Sequence, residues 1–316
     1  MLSFEEYIKK YFGVDKDVFL KSLAASPSAK GYITGAISEV ILKEYLESKG
    51  FEVLRIKEKP SGGNNAKSAE ARGDFYIREK GSSKNEWLVI ESKGLKSNSE
   101  FRGGKLDNKV KLFKFLHRRA FPPLNKEIYN KGYNSYLKVK DAWEKKNSGK
   151  KFPPFLWDKE APGPEACNLT HVWRDEKDLK NWVESQPEDS LLEESYRDVK
   201  GPIAILETHQ PSKRVAPITG IDQAAPLVVD FNIMTVDLFL RTGRHEFVFM
   251  NASEISHSPT SPEHLYQNYI IDILVKDKKD SLSISPPWYD DILECIKRTH
   301  PVARELDESQ LDTRCE

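Results

Sequence analysis

The sequence predicts an α/β protein: a central mixed sheet flanked by helices, with a long irregular insertion. Three observations carry that prediction. An apolar stripe of helical period between Tyr32 and Gly50 runs straight into a strand pattern, "FEVLRI". Two more strand patterns, "GDFYI" (Gly73 to Ile77) and "EWLVIESKG" (Glu86 to Gly94), are joined by turn residues. Strand patterns then resume well down the chain, at "PLVVDFNIMTVDLFL" and "HEFVFMN" (His245 to Asn251).

The helix reading rests on Ile33, Ala36, Ile37, Val40, Ile41 and Tyr45 as its core face, with Gly50 supplying a left-handed stop. "KEKPSGGNNAKSAEAR" is a polar loop. Its "GGNNAKS" faintly echoes a phosphate-binding loop, but Ala66 stands where a second glycine is needed. "KLDNKVKLFKFLHRRAF" reads as a basic helix, and residues 121–210, rich in Pro, Lys, Tyr and Trp, as an irregular insertion. "RTGR" reads as the hairpin turn between the two late strands, "PPWYDDILECIKRTH" as a helix, and residues 302–316 as a frayed acidic tail. The expected core is therefore residues 1–120 plus 211–301.

Composition narrows the functional classes. With 38% hydrophobic and 31% charged residues, no run approaches a membrane span. The amphipathic start "MLSFEEYIKKYF" lacks signal-peptide character, and three scattered cysteines (Cys167, Cys295, Cys315) suggest neither a disulfide framework nor a zinc site, so a cytoplasmic protein is expected. The net charge of zero conceals an asymmetry. Residues 93–160 hold 18 Lys/Arg against 7 Asp/Glu, whereas residues 161–200 hold 5 against 10. A basic excess sustained that far and interleaved with aromatics points to an anionic partner such as nucleic acid.

The tetrapeptide ESKG occurs twice. In "LESKGFEV" it ends a helix, where Glu47 and Lys49 lie about 200° apart and cannot converge. In "LVIESKGLK" it ends a strand, so Glu91 and Lys93 share one face. If "GDFYI" and "LVIESK" form a hairpin closing at Ser82 and Ser83, cross-strand partners have numbers summing to 165, which opposes Asp74 to Glu91. Opposed residues have Cβ atoms about 4.5–5.5 Å apart. Carboxylates that close repel unless a proton or cation lies between them, and Mg²⁺ accepts one or two carboxylates together with water and phosphate oxygens. Blander readings stand beside this one. Asp74 could simply open a strand, Glu91 and Lys93 could form a surface ion pair, Glu39 could be an exposed helix carboxylate, and His117, Arg118 and Arg119 a solvated helix end. His264 and Asn268 in "EHLYQN" have the spacing of one turn of an HNH nuclease, but without its partner histidine motif.

Asp74, a gap of sixteen residues, then Glu91-Ser92-Lys93 resembles the signature of the PD-(D/E)xK nucleases, the superfamily of most type II restriction endonucleases. The resemblance covers about residues 32–121 and resumes near 228–251. It extends to Glu39 on the preceding helix, and it departs at Gly73, where the motif's name has proline. It implies a restriction-endonuclease-like core and hydrolysis of DNA phosphodiesters to 5′-phosphate and 3′-hydroxyl ends. It further implies Mg²⁺, with Mn²⁺ able to substitute, held by Asp74, Glu91 and the Ser92 backbone carbonyl. Lys93 would orient the attacking water or stabilise the oxyanion, and Glu39 would bind a second metal or hold Lys93. The segment 121–210 becomes an inserted DNA-recognition region. Arg102, Lys105, Lys109, Lys111, Arg118 and Arg119 are the expected phosphate contacts, joined by Tyr129, Tyr133, Tyr136 and Trp143. Double-stranded DNA is the implied partner, a homodimer the implied assembly, and a methyltransferase acting on the same site a companion activity, with recognition of a modified site left open. A repair or recombination nuclease with structural specificity, or a catalytically silent DNA-binding protein of the same fold, are the rival expectations.

Overall fold

The computed structural model describes residues 2–57, 72–96, 99–101, 106–121, 125–159, 169–198, 200–207, 213–266, 271–276 and 282–312. The phosphate-loop echo, Arg102, Lys105, Cys167, Asn268 and Cys315 lie outside these residues. The chain opens with helices α1 (Phe4–Phe12), α2 (Lys16–Ala25) and α3 (Pro27–Ser48), then strands β1 (Phe51–Arg55), β2 (Phe75–Glu79) and β3 (Leu88–Gly94). Helices α4 (Lys109–Ala120), α5 (Asn125–Lys146), α6 (Glu176–Ser185) and α7 (Glu193–Arg197) follow, then β4 (Ile203–Leu206), β5 (Arg214–Val215), β6 (Asp222–Gln223) and β7 (Ile233–Asp237). The remainder comprises α8 (Phe239–Thr242), β8 (Phe247–Asn251), β9 (His257–Ser258), β10 (Ser261–Leu265), β11 (Asp272–Lys276), β12 (Leu282–Ser283) and α9 (Ile292–Thr299).

One five-stranded sheet, ordered β1-β2-β3-β7-β8, joins the early and late strands, so Val89 and Val248 share it as burial requires. β3 and β7 run parallel and the other pairs antiparallel, which makes the sheet mixed. Alternation sorts its side chains. Phe75, Ile77, Ile90, Ile233 and Phe249 face Leu42 and Leu46 of α3 and Ile292 and Cys295 of α9. Tyr76, Val89, Met234, Val236 and Val248 face the opposite core, which includes Trp87 and Trp288. Among the described residues no helix is long and apolar enough to cross a membrane.

Several expectations need correction. The buried edge of α3 is Ser38, Leu42 and Leu46, while Ile33, Ile37 and Val40 are exposed, because the helix is apolar on two nearly opposite faces. It begins five residues before the expected Tyr32, capped by Ser26 and opened by Pro27, and it ends as read, with Gly50 following it at φ 89°. The segment expected to be irregular is largely helical. In α5, Tyr136, Val139 and Trp143 recur at helical spacing and pack on Phe152 and Phe155. β4, within that segment, pairs with β11 in a second sheet ordered β12-β11-β4, so a boundary at residue 210 divides a sheet neighbour from its partner. "RTGR" closes no tight hairpin turn; α8 intervenes and ends on Gly243 at φ 70°. Residues 302–312 of the tail are not frayed. Trp87 and Arg304 exchange backbone hydrogen bonds at 2.8 Å, and Asp312 N–H donates to the Arg55 carbonyl at 2.9 Å, so the tail covers exposed sheet backbone. His264 lies buried on β10 with Nδ1 2.9 Å from Ser261 Oγ, which removes the HNH reading.

Candidate active site

The hairpin register is the one the turn arithmetic predicts. Phe75 pairs with Ile90, Tyr76 with Val89, and Ile77 with Leu88, each pair summing to 165. Asp74 stands one residue beyond the last paired position and does not oppose Glu91 as expected, because the ladder shifts there and its N–H donates to the Ile90 carbonyl at 2.7 Å. Its own carbonyl accepts from Ile56 N–H at 2.9 Å, and its Oδ2 accepts from Ser92 N–H at 2.6 Å. Asp74 is thus held by backbone on both neighbouring strands and leans over the end of β3. The strand begins at Phe75 rather than Gly73 for the same reason.

Gly73 makes this crossing possible. A Cβ at that position would sit 2.4 Å from Val89 Cγ1 and 2.5 Å from the Ile90 carbonyl oxygen. That contact accounts for glycine where the resembled motif is named for proline. Gly73→Ala must push β2 off β3; overpacking of this kind costs about 1–3 kcal/mol. Denaturant titration should show that loss, and any activity that depends on Asp74 should fall with it.

Glu91 and Lys93 form an ion pair on the same face of β3, with side chains 12% and 28% exposed. Burial pushes the Glu91 carboxyl up; Lys93 opposes this, Asp74 and Glu39 add to it, and the result is about 7. For Lys93, burial pulls the ammonium down, and the Glu91, Asp74 and Glu39 carboxylates outweigh it, so the lysine remains charged above its ordinary range. Four ionisable groups from three elements therefore act on one another here. Glu39 on α3 is in turn bonded to Arg55 on β1, a partner that sequence reasoning missed because a lone arginine ending a strand carries no motif.

A pH dependence follows. Between about 4.5 and 7 the folded protein keeps a proton on Glu91 that the unfolded chain has released, so stability falls as pH rises through that window and levels off above it. Glu91→Gln should flatten the slope and leave the variant more stable than wild type at pH 8, by on the order of 1 kcal/mol. Urea unfolding at pH 5 and pH 8 checks both signs; an unchanged slope would mean that Glu91 is not the buried acid.

Among the described residues no group of three or more His, Cys, Asp or Glu side chains stands ready to hold a metal ion. The donors present are the Asp74 and Glu91 carboxylates and the carbonyl of Ser92 between Glu91 and Lys93. All are hard oxygens, and the Glu91 carboxyl is raised partly by the negative charge of its neighbours. This set fits a cation that takes one or two protein carboxylates and fills its remaining positions with water and phosphate.

The expected DNA contacts fare differently. Lys109 donates to the Glu184 carbonyl at 2.9 Å and lies 3.6 Å from Glu188, and Lys111 is paired with Asp107. Arg119 stacks over Phe115 at 4.1 Å, Arg118 is exposed, and His117 bonds Glu176 at 2.8 Å. Lys109 and Lys111 of α4 are thus neutralised by neighbouring carboxylates. Tyr136 is buried and Trp143 half-buried in the core beneath α5, whereas Tyr129 and Tyr133 stack at 5.9 Å nearer the surface, with Tyr133 exposed. α5 itself exposes Lys131, Lys138 and Lys145, which recur every seven residues and so form one stripe.

The other ESKG is structural, although its lysine is engaged. Glu47 lies 3.8 Å from Lys43, and Lys49 pairs with Asp291, the capping residue of α9. Lys49 thus ties α3 to α9 rather than standing idle at a helix end. At the far end of β7, register places Asp237 beside Gly94, and His245 Nδ1 lies 2.6 Å from Asp237 Oδ2. Only side-chain parity separates this pair from Glu91 and Lys93, since Asp237 belongs to the α3 face. Comparison with protein-family models, curated proteins and solved structures finds no match for the chain.

Proposed function

We propose that this protein is a Mg²⁺-dependent endonuclease of the PD-(D/E)xK type, hydrolysing phosphodiester bonds in duplex DNA at specific sites in the manner of a type II restriction enzyme. The observation that carries the reading is the meeting of Asp74 with Glu91 and Lys93 at the ends of adjacent strands, with Asp74 anchored on the Ser92 N–H. Asp74, Glu91 and the Ser92 carbonyl would hold the cation. When bound, that cation neutralises charge on the scissile phosphate and lowers the pKa of its water. Lys93, kept protonated by three carboxylates, donates to the attacking water or to the phosphate oxygen on which charge develops. Glu39 and Arg55 brace this arrangement from the α3 side.

The lysine stripe of α5 supplies the phosphate contacts. Changing Lys138 and Lys145 together to alanine should weaken binding to every duplex alike and reduce the log–log salt slope by roughly 0.9 per lost contact, about 1.8 in all. Lys109→Ala with Lys111→Ala should leave the slope nearly unchanged, because both lysines already have carboxylate partners. Fluorescence anisotropy across a salt series reads both.

A supercoiled plasmid incubated with protein and Mg²⁺ tests the reading. Discrete linear fragments support it. Nicking restricted to branched or damaged substrates would favour a repair nuclease, and binding without cleavage a silent DNA-binding protein.

A further inference from the structure

The segment after α9 runs from β3 past β2 to β1, the three strands that hold the candidate site. Just before β3, Arg304 exchanges backbone hydrogen bonds with Trp87, and Leu306 N–H donates to Asn85 Oδ1 at 3.4 Å. Leu306 and Leu311 pack against the core that contains Tyr76, Val89 and Met234. On β2, the Tyr76 hydroxyl donates to Gln310 Oε1 at 2.7 Å, with both residues buried. The segment then lies along the continuation of β1. Lys57 N–H donates to the Gln310 carbonyl at 2.9 Å and Asp312 N–H to the Arg55 carbonyl at 2.9 Å, with Ile56 and Leu311 opposed between them.

This contact falls in the row of Asp74. β1 pairs with β2 so that Arg55 opposes Phe75. One residue further out, Ile56 N–H donates to the Asp74 carbonyl at 2.9 Å. Leu311, Ile56 and Asp74 are therefore successive members of one row across the sheet. The row continues onto β3 through the Asp74 N–H, bonded to the Ile90 carbonyl, and through Asp74 Oδ2, bonded to the Ser92 N–H.

Asp74 stands beyond the last position at which β2 pairs with β3, so Ile56 and Ile90 fix its backbone from either side. Residues 55–57 are held in turn by the tail, which takes the outward N–H of Lys57 and the outward carbonyl of Arg55. An edge segment without such partners presents its backbone to water and opens at little cost. The consequence for chemistry is steep, because a displacement of about 1 Å at a reacting group can cost about 10²-fold in rate.

We propose that residues 308–312 are a positioning strap for Asp74, acting through residues 55–57. The effect on rate rests on the nuclease reading, whereas the coupling of the tail to the Asp74 backbone does not. The strap touches no substrate; it sets where the Asp74 carboxylate stands.

Two substitutions in the full chain isolate the backbone bond. Asp312→Pro removes the N–H that reaches Arg55, and Asp312→Ala removes the side chain but keeps that N–H. Hydrogen exchange at the Ile56 and Asp74 amides should be about tenfold faster or more in Asp312→Pro than in Asp312→Ala, while the amides of β8, at the far edge of the sheet, exchange alike in both. Plasmid cleavage by Asp312→Pro should show a kcat about tenfold or more below that of Asp312→Ala, with KM and duplex affinity matching. Should Asp312→Pro not fold, Tyr76→Phe with Gln310→Leu severs the side-chain hold and should speed exchange at Asp74 without changing β8. Equal exchange at Ile56 and Asp74 in the two Asp312 variants overturns the proposal. So does protection lost evenly across β8, which would make the tail a general stabiliser. A wild type that cleaves, with equal kcat in the two variants, overturns the strap alone. A wild type that cleaves no DNA defeats the nuclease reading, and the exchange rates then decide the strap by themselves.

Discussion

Asp74→Ala and Glu91→Ala should each reduce DNA cleavage by about 10³-fold or more, the scale on which loss of a transition-state charge stabiliser acts, while leaving duplex binding nearly intact. On the proposed reading each variant loses a carboxylate that would hold the cation and no phosphate-binding lysine. The variants should differ in stability. Glu91→Ala removes a buried acid pushed up to about 7, whereas Asp74→Ala leaves the Ser92 N–H without the oxygen that accepts from it at 2.6 Å. Lys49→Ala, in the other ESKG, should leave cleavage unchanged and cost only the ion pair with Asp291. Quantitative cleavage and anisotropy on the same preparations decide the matter. Wild-type rates in either carboxylate variant would remove Asp74 and Glu91 from the chemistry.

The largest stability effect is expected away from that site. Arg241 on α8 is 2% exposed and pairs with Glu100, whose side chain is fully buried; its guanidinium also donates to the carbonyls of Leu240 at 2.9 Å and Lys96 at 3.2 Å. Nearby, Lys96 reaches Glu207 at 3.2 Å, also buried. Burial pushes the Glu100 carboxyl up and Arg241 opposes it, so removing the arginine leaves an uncompensated acid in the interior. Arg241→Ala should therefore destabilise the protein by about 3–5 kcal/mol, while Arg241→Leu combined with Glu100→Leu should cost much less, since a buried pair replaced by apolar groups is often near neutral. A double-mutant cycle in urea measures both. A loss below about 1 kcal/mol for Arg241→Ala would mean that water reaches the pair.

Legibility in the sequence followed how local the determining physics is. The register of β2 on β3 was readable because a hairpin fixes partners by arithmetic, and the helix that ends at Gly50 was readable from its period and its stop. The reach of Asp74 to Ser92 was not, since it depends on a ladder shift that only Gly73 permits. The face that α3 presents to the sheet was misread, because Ile33, Ile37 and Val40 fit a core stripe as well as Leu42 and Leu46 do. Periodicity cannot say which of two apolar faces meets the sheet. Arg55 and Asp291 were missed because each is a lone charge without a motif whose partner, Glu39 or Lys49, belongs to another element. The helices within residues 121–210 were hidden by low apolar content: α5 buries a narrow edge and exposes lysines elsewhere.

The most direct measurement is the sequencing of DNA ends produced by the wild-type protein with Mg²⁺, alongside Asp74→Ala and an EDTA control. Ends that recur at one short sequence, carry 5′-phosphates, and vanish in both the variant and the chelated reaction are the predicted result. Ends scattered without sequence preference, or cleavage that persists in Asp74→Ala, would contradict a site-specific hydrolysis centred on Asp74, Glu91 and Lys93.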